Sequence, residues 1–296
     1  MKNIPALDPK VLDLVTEISK EPKVEAAMAF IKDQTEVAMQ EQIELCEIEA
    51  PTFHEEKRAA SVAERMRQYG LTDVHIDEIG NVIGIRKGSG NGPVLAIGAH
   101  MDSVFPAGTD VKVKKEGNIY RAPGIGDNCS GLRALLQVLR ALEKEDIRTV
   151  GDIWFVGTVG EEGNGDIRGS KHLCANNKLD GFVAIDSTDV GRVLYGAVGS
   201  HRWRLAVDSF ADFGKTPSAI HAVCRAGNII ADIKVPEDPK TTFTIGTIKG
   251  GTTVNTISAH CEVDVDIRSV SNDELLRVES EVLGAFEKAI KEENAR

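Results

Sequence analysis

The sequence predicts an α/β protein, an open sheet flanked by helices, followed by a smaller β-α-β-β-α unit. Three observations carry this expectation. Residues 94–98, 153–159 and 182–185 are short continuous apolar runs, as expected of strands buried on both faces. Leu132, Leu135, Leu136, Leu139 and Leu142 form one helical stripe between the first two runs. Beyond residue 199, alternating segments and helical stripes follow the order of a split β-α-β unit without its final strand.

Taken in order, residues 8–48 are helical in pattern. Leu12, Val15 and Ile18 make a first stripe, and Pro22 opens a second helix carrying Val24, Met28 and Ile31. Ala50-Pro51-Thr52 is a turn. Val62, Met66 and Tyr69 recur at helical spacing, and Gly70 stops that helix. Residues 74–76 and 82–85 are short strands about the turn Ile79-Gly80-Asn81, and 88–92 is a loop before the first apolar run. In the second unit residues 201–207 alternate like a strand. Thr216-Pro217 supplies an N-cap and a first-turn proline to a helix with Ile220, Val223, Gly227 and Ile230. Residues 241–248 and 260–267 are further strands. Asn272 caps a last helix with Leu275, Val278, Val282 and Phe286 on one side and acidic residues in its first turn.

Composition narrows the function classes. A chain of 296 residues, 42% hydrophobic and 27% charged, is long enough for two globular domains. The net charge of −11 excludes a nucleic-acid partner, because no basic field exists to neutralise phosphates. No apolar stretch approaches the roughly 18 residues of a membrane span, and Met1-Lys2-Asn3-Ile4-Pro5 is not a signal peptide. Five cysteines, an odd number without a CxxC pair, read as reduced and mostly structural thiols; the expected location is cytoplasmic.

The apolar runs and the leucine helix are punctuated by four acidic signatures: Gly98-Ala99-His100-Met101-Asp102, Gly124-Ile125-Gly126-Asp127-Asn128, Gly160-Glu161-Glu162-Gly163 and Ala184-Ile185-Asp186-Ser187. Ligands of an open α/β sheet sit outside the carboxyl ends of its strands, so His100, Asp102, Asp127, Glu161, Glu162 and Asp186 are expected in one crevice. So many carboxylates in a partly dry site repel one another unless protons or cations are present. Imidazole with carboxylates suits zinc or a similar divalent ion. His100 and Asp102, two apart, share a face of an extended chain, where the carboxylate can fix the imidazole tautomer. Glu161 and Glu162 point different ways, so one can ligate while the other acts as a base. Gly124, Gly126 and Gly131 do not fit a phosphate-binding GxGxxG, and Asp127 would repel phosphate. Any one signature is also what a solvated acidic turn looks like; the four in order, all at strand ends, point to a site.

That order resembles the co-catalytic zinc exopeptidases and amidohydrolases typified by peptidase T, carnosinase and acetylornithine deacetylase, over nearly the whole chain. The resemblance implies a zinc-exopeptidase-like mixed sheet flanked by helices, with a smaller ferredoxin-like (split βαβ) lid domain. Residues 1–198 would be the N-terminal part of the catalytic domain and 199–296 a lid that forms a homodimer. His100 and Asp186 would hold one zinc, Glu162 and a distant C-terminal His the other, and Asp127 would bridge them. Glu161 would be the general base, Asp102 would orient His100, and a cis peptide would join Asp127 to Asn128. Asn255 and Arg268 would face the substrate's polar end, a guanidinium gripping a carboxylate.

Two departures from the family pattern are visible. No histidine follows His260, so the family's last zinc-binding His is lacking before Arg296; the expectation is either a naturally short chain or a fragment of a longer one. In Val207-Asp208-Ser209-Phe210, Asp208 stands where the family's lid carries a His, and His201 and His221 read as surface residues. The expectation is therefore at most one tightly held metal, at His100, Asp127 and Asp186: zinc, with cobalt or manganese as alternatives. The expected activity is hydrolysis of amide bonds in di- and tripeptides by a metal-activated water and Glu161. The alternatives are the same chemistry on N-acyl amino acids, or an inactive relative acting through lid dimerisation.

Overall fold

A computed structural model describes residues 8–186, 191, 193–194, 196–210 and 216–296. The chain forms two compact units, residues 1–190 and 191–296. The first contains α1 (Pro9–Ile18), α2 (Pro22–Asp33), α3 (Thr35–Cys46), α4 (Glu56–Gln68), β1 (Asp73–Ile76), β2 (Val82–Arg86), β3 (Leu95–His100), β4 (Lys114–Glu116), β5 (Ile119–Arg121), α5 (Cys129–Lys144), β6 (Ile153–Thr158), α6 (Arg168–Asn176) and β7 (Gly181–Ala184).

Five of these strands make a mixed sheet in the order β1-β2-β6-β3-β7. β3 runs parallel to β6 and to β7, while β2 is antiparallel to β1 and β6. The carboxyl ends of β3, β6 and β7 therefore lie on one side, which is where three of the four acidic signatures fall; the fourth, at Asp127, lies in the turn before α5. The leucine stripe of α5 forms the centre of the core, with Leu132, Leu135, Leu136 and Leu139 fully buried against Phe155 of β6 and Val62 and Met66 of α4. Gly70, at φ +102°, ends α4 in a conformation that L side chains rarely adopt.

Residues 182–185, expected to be buried, form an edge strand instead. β7 pairs with β3 alone among the described residues, and Val183 is 50% exposed. The stripe of α1 is present but faces solvent: no residue of that helix is buried. The N-terminal region contains three helices where the pattern showed two, because Thr35 starts a separate turn. The β4–β5 hairpin and α6 had no periodic apolar signal; β4 reads Lys-Lys-Glu and is wholly exposed. No helix among the described residues is long and apolar enough to cross a membrane.

The second unit contains β8 (Gly199–Asp208), α7 (Ala219–Ala231), β9 (Thr241–Gly250), β10 (His260–Ser269) and α8 (Asn272–Asn294). Its antiparallel sheet has the order β8-β10-β9, that of the first three strands of a split β-α-β unit. Alternate residues of β10, namely Cys261, Val263, Val265 and Ile267, pack with Val223 and Ile230 of α7 and Val278, Val282 and Phe286 of α8. The helix starts differ from expectation: Ser218 and Ser271 are the N-caps, not Thr216 and Asn272. Pro217 precedes the cap instead of following it, and Asn272 already has helical geometry.

Candidate metal centre

His100 is the last residue of β3 and is buried. Its Nδ1 faces Asp102, 3.1 Å from the carbonyl oxygen and 3.4 Å from Oδ1. Nε2 then points to Asp127 Oδ1 at 2.9 Å and lies 3.9 Å from Asp186 Oδ1. Asp127 enters the site through the expected cis peptide to Asn128. Asn128, whose role sequence reading missed, accepts the Gly131 N–H at 3.0 Å as the cap of α5. Its Nδ2 donates to the Ile185 carbonyl at 2.8 Å. One side chain thus ties the segment of Asp127 to the segment of Asp186.

Asp102 does more than face His100. It is fully buried, and its two oxygens accept the N–H groups of Glu161 at 2.9 Å and Glu162 at 3.0 Å. Thr52 donates its hydroxyl to the same carboxylate at 2.9 Å. Burial pushes the Asp102 carboxyl up, but His100 and these N–H groups outweigh it and hold the carboxyl at about 2. For His100, burial opposes charge, yet Asp102, Asp186 and Glu161 bring the imidazole to about 9. Glu161 and Glu162 are both pushed above the usual carboxylate range, first by burial and then by neighbouring carboxylates.

Two groups of potential ligand atoms, each within 4.8 Å of one another, share the imidazole: His100–Asp127–Asp186 and His100–Glu161–Glu162. Raised glutamates around a proton-holding imidazole are what a divalent cation would relieve, and the donor set is one such an ion accepts. The residues fit a metal. The expected bridging partnership of Asp127 with Glu162 does not appear as a ligand group of three among the described residues. A third group, Asp77, Glu78 and His172, lies elsewhere in the same unit. There Glu78 is exposed, Asp77 accepts from Ile79 and Asn81, and Asn176 Nδ2 sits 3.1 Å from His172 Nδ1.

In the second unit, Asn255 occupies an exposed turn, and Arg268 is the penultimate residue of β10, with its Nε 2.7 Å from Asp266 Oδ2. Asp208 pairs with His260 Nδ1 at 2.7 Å, and His201 with Glu279 at 2.6 Å.

Residues 96–296 match the profile of Peptidase family M20/M25/M40. The chain belongs to this family. The match spans both units, and the M20 family is metal-dependent, in keeping with the ligand groups above. The M20 chain is 35% identical over 120 residues to a protein of Pyrococcus abyssi (strain GE5 / Orsay) described as a LysW-lysine/LysW-ornithine hydrolase; the match takes in 40% of this chain and 32% of that one. It is 27% identical over 204 residues to carboxypeptidase G2 of Pseudomonas sp. (strain RS-16), covering 66% of this chain and 48% of the relative. The chain thus spans from a third to a half of the length of these curated relatives. A crystal structure of a tripeptidase from Staphylococcus aureus subsp. aureus Mu50 superposes with a TM-score of 0.67 at 27% identity, covering 86% of this chain and 72% of that one.

Proposed function

We propose that this M20 protein hydrolyses amide bonds of di- and tripeptides. The observation that supports it most is the convergence of His100, Asp127 and Asp186, from the ends of β3 and β7 and the turn before α5, with Glu161 beside them. Held by those three residues, a divalent ion, zinc by preference and cobalt or manganese otherwise, would supply Lewis acidity toward a carbonyl and toward water. Asp102 keeps the His100 imidazole turned so that Nε2 faces the site. Glu161, whose backbone is pinned by Asp102, takes the proton of the attacking water and returns it to the leaving nitrogen. Glu162 stands as a further ligand. In the second unit, Arg268 and Asn255 are the proposed contacts for the substrate's polar end.

The long outer strands β8 and β9 support dimerisation through residues 199–296, since each has one edge without a partner among the described residues. Five free thiols support a cytoplasmic setting. The resemblance to carboxypeptidase G2 and to a LysW-lysine/LysW-ornithine hydrolase supports a second reading, in which the amide cut belongs to an acylated amino acid. A panel of di- and tripeptides and N-acyl amino acids, assayed with added zinc, cobalt or manganese and again after chelation, tests both. Metal-dependent cleavage of the peptides is expected. Cleavage confined to the acyl amino acids favours the second reading, and cleavage of either that survives chelation contradicts both.

A further inference from the structure

One ionic pair beside the site, with a buried carboxylate and a half-buried guanidinium, plays no part in the scheme above. Glu55 immediately precedes α4, and only 4% of its side chain is exposed. Its Oε1 accepts the Gly160 N–H at 2.9 Å and the Phe53 N–H at 3.1 Å. Arg168, the first residue of α6, donates from Nη2 to both Glu55 oxygens, at 3.2 and 3.1 Å. Its Nη1 donates to the Ile79 carbonyl at 2.9 Å. A carboxylate this dry is tolerable only with such a cation and such donors.

The consequence concerns the segment that carries the glutamates. Gly160, Glu161 and Glu162 offer three successive N–H groups, and each ends on a buried carboxylate: Glu55 for the first, Asp102 for the next two. Only backbone donors are used, so the segment is anchored while the carboxylates of Glu161 and Glu162 are kept for chemistry. Gly160 adopts φ +59°, and a Cβ there would lie 2.5 Å from Arg168 Nε. The arginine stem covers the glycine and closes the turn from outside.

We propose that Glu55, held by Arg168, is a positioning residue for the Glu161–Glu162 pair. It sets where the two carboxylates stand without touching substrate. Its effect on metal and rate rests on the function proposed above; the positioning itself does not.

The test is amide hydrogen exchange in the metal-free chain, followed by zinc affinity from chelator competition. Glu55→Ala is expected to speed exchange at residues 160–162 by about tenfold or more relative to the amides of β6, the equivalent of one lost hydrogen bond. Glu55→Gln keeps an oxygen for Gly160 and is expected to restore much of the protection. Zinc affinity should fall by about 10–100-fold in Glu55→Ala and less in Glu55→Gln. Arg168→Ala, which leaves Glu55 in place, should loosen the same three amides, and it decides the matter if Glu55→Ala does not fold. Unchanged exchange at 160–162, or an equal rise throughout residues 8–186, would overturn the proposal. Loosening confined to 160–162 in a chain that bound no zinc would support the positioning and defeat the metal reading.

Discussion

His100 Nε2 stands 2.9 Å from Asp127 Oδ1, although the two residues are 27 positions apart and come from different elements. β3 delivers the imidazole and the turn before α5 delivers the carboxylate. The same two atoms that meet in a hydrogen bond can both turn to a cation.

Glu161 and Glu162 should separate on substitution. Glu161→Gln is expected to retain metal and lose about 10²–10⁴ in rate, as removal of a general base does. Glu162→Gln is expected to weaken metal binding. Metal analysis beside peptide hydrolysis checks this; equal loss of metal from both variants would reverse the assignment.

Asp102 fixes His100 and the two glutamate N–H groups together. Asp102→Ala is therefore expected to lower zinc affinity by about 10–100-fold. Asp102→Asn, which keeps one accepting oxygen, should fall between it and the wild type. Chelator competition measures all three, and affinities within twofold of one another would contradict the double role.

Glu293 gives the second unit an acid-sensitive contact. Burial pushes its carboxyl up, but the Ser218 N–H, Arg225 and His221 outweigh burial and hold it below the usual range. A depressed carboxyl stabilises the fold above its unfolded pKa of roughly 4.3, and that stability is lost as pH falls through the lower folded value. Glu293→Gln should cost about 1 kcal/mol at neutral pH and flatten this acid limb. Denaturant unfolding followed by Trp203 on β8, in a Trp154→Phe background, reads it. An acid limb of the same steepness in the variant would rule the contact out.

Two leucines test the burial pattern. Leu135 on α5 is fully buried, and Leu135→Ala is expected to cost about 2–5 kcal/mol. Leu12 on α1 is 55% exposed, and Leu12→Ser should stay within about 0.5 kcal/mol. Denaturant midpoints of the two variants make the comparison; a large loss from Leu12→Ser would mean that α1 packs against something.

Those leucines also show how far the sequence could be read. Both belong to clear helical stripes, and periodicity alone does not say which stripe meets a core. The strands ending at His100 and before Glu161 were legible because a short apolar run closed by glycine and acid fits little besides a buried strand that ends at a polar crevice. β7 was legible as a strand but not as an edge, since neighbours are a tertiary matter. The helix caps slipped by one or two positions because Thr216 and Ser218, or Ser271 and Asn272, cap equally well on paper. Glu55 and Arg168 gave no signal, since each acts on groups that only the fold brings near; Asn128 stood in an acidic signature, but its bond to Ile185 is tertiary. The Glu55 contact with Gly160 spans 105 residues.

The central claim is that His100, Asp127 and Asp186 hold a catalytic divalent ion. Metal content of the wild type and of His100→Ala, after zinc loading and exhaustive dialysis at neutral pH, tests it most directly. The expected result is one tightly held equivalent in the wild type and its loss from His100→Ala, with circular dichroism showing both chains folded. Equal metal content in the two proteins would contradict the account.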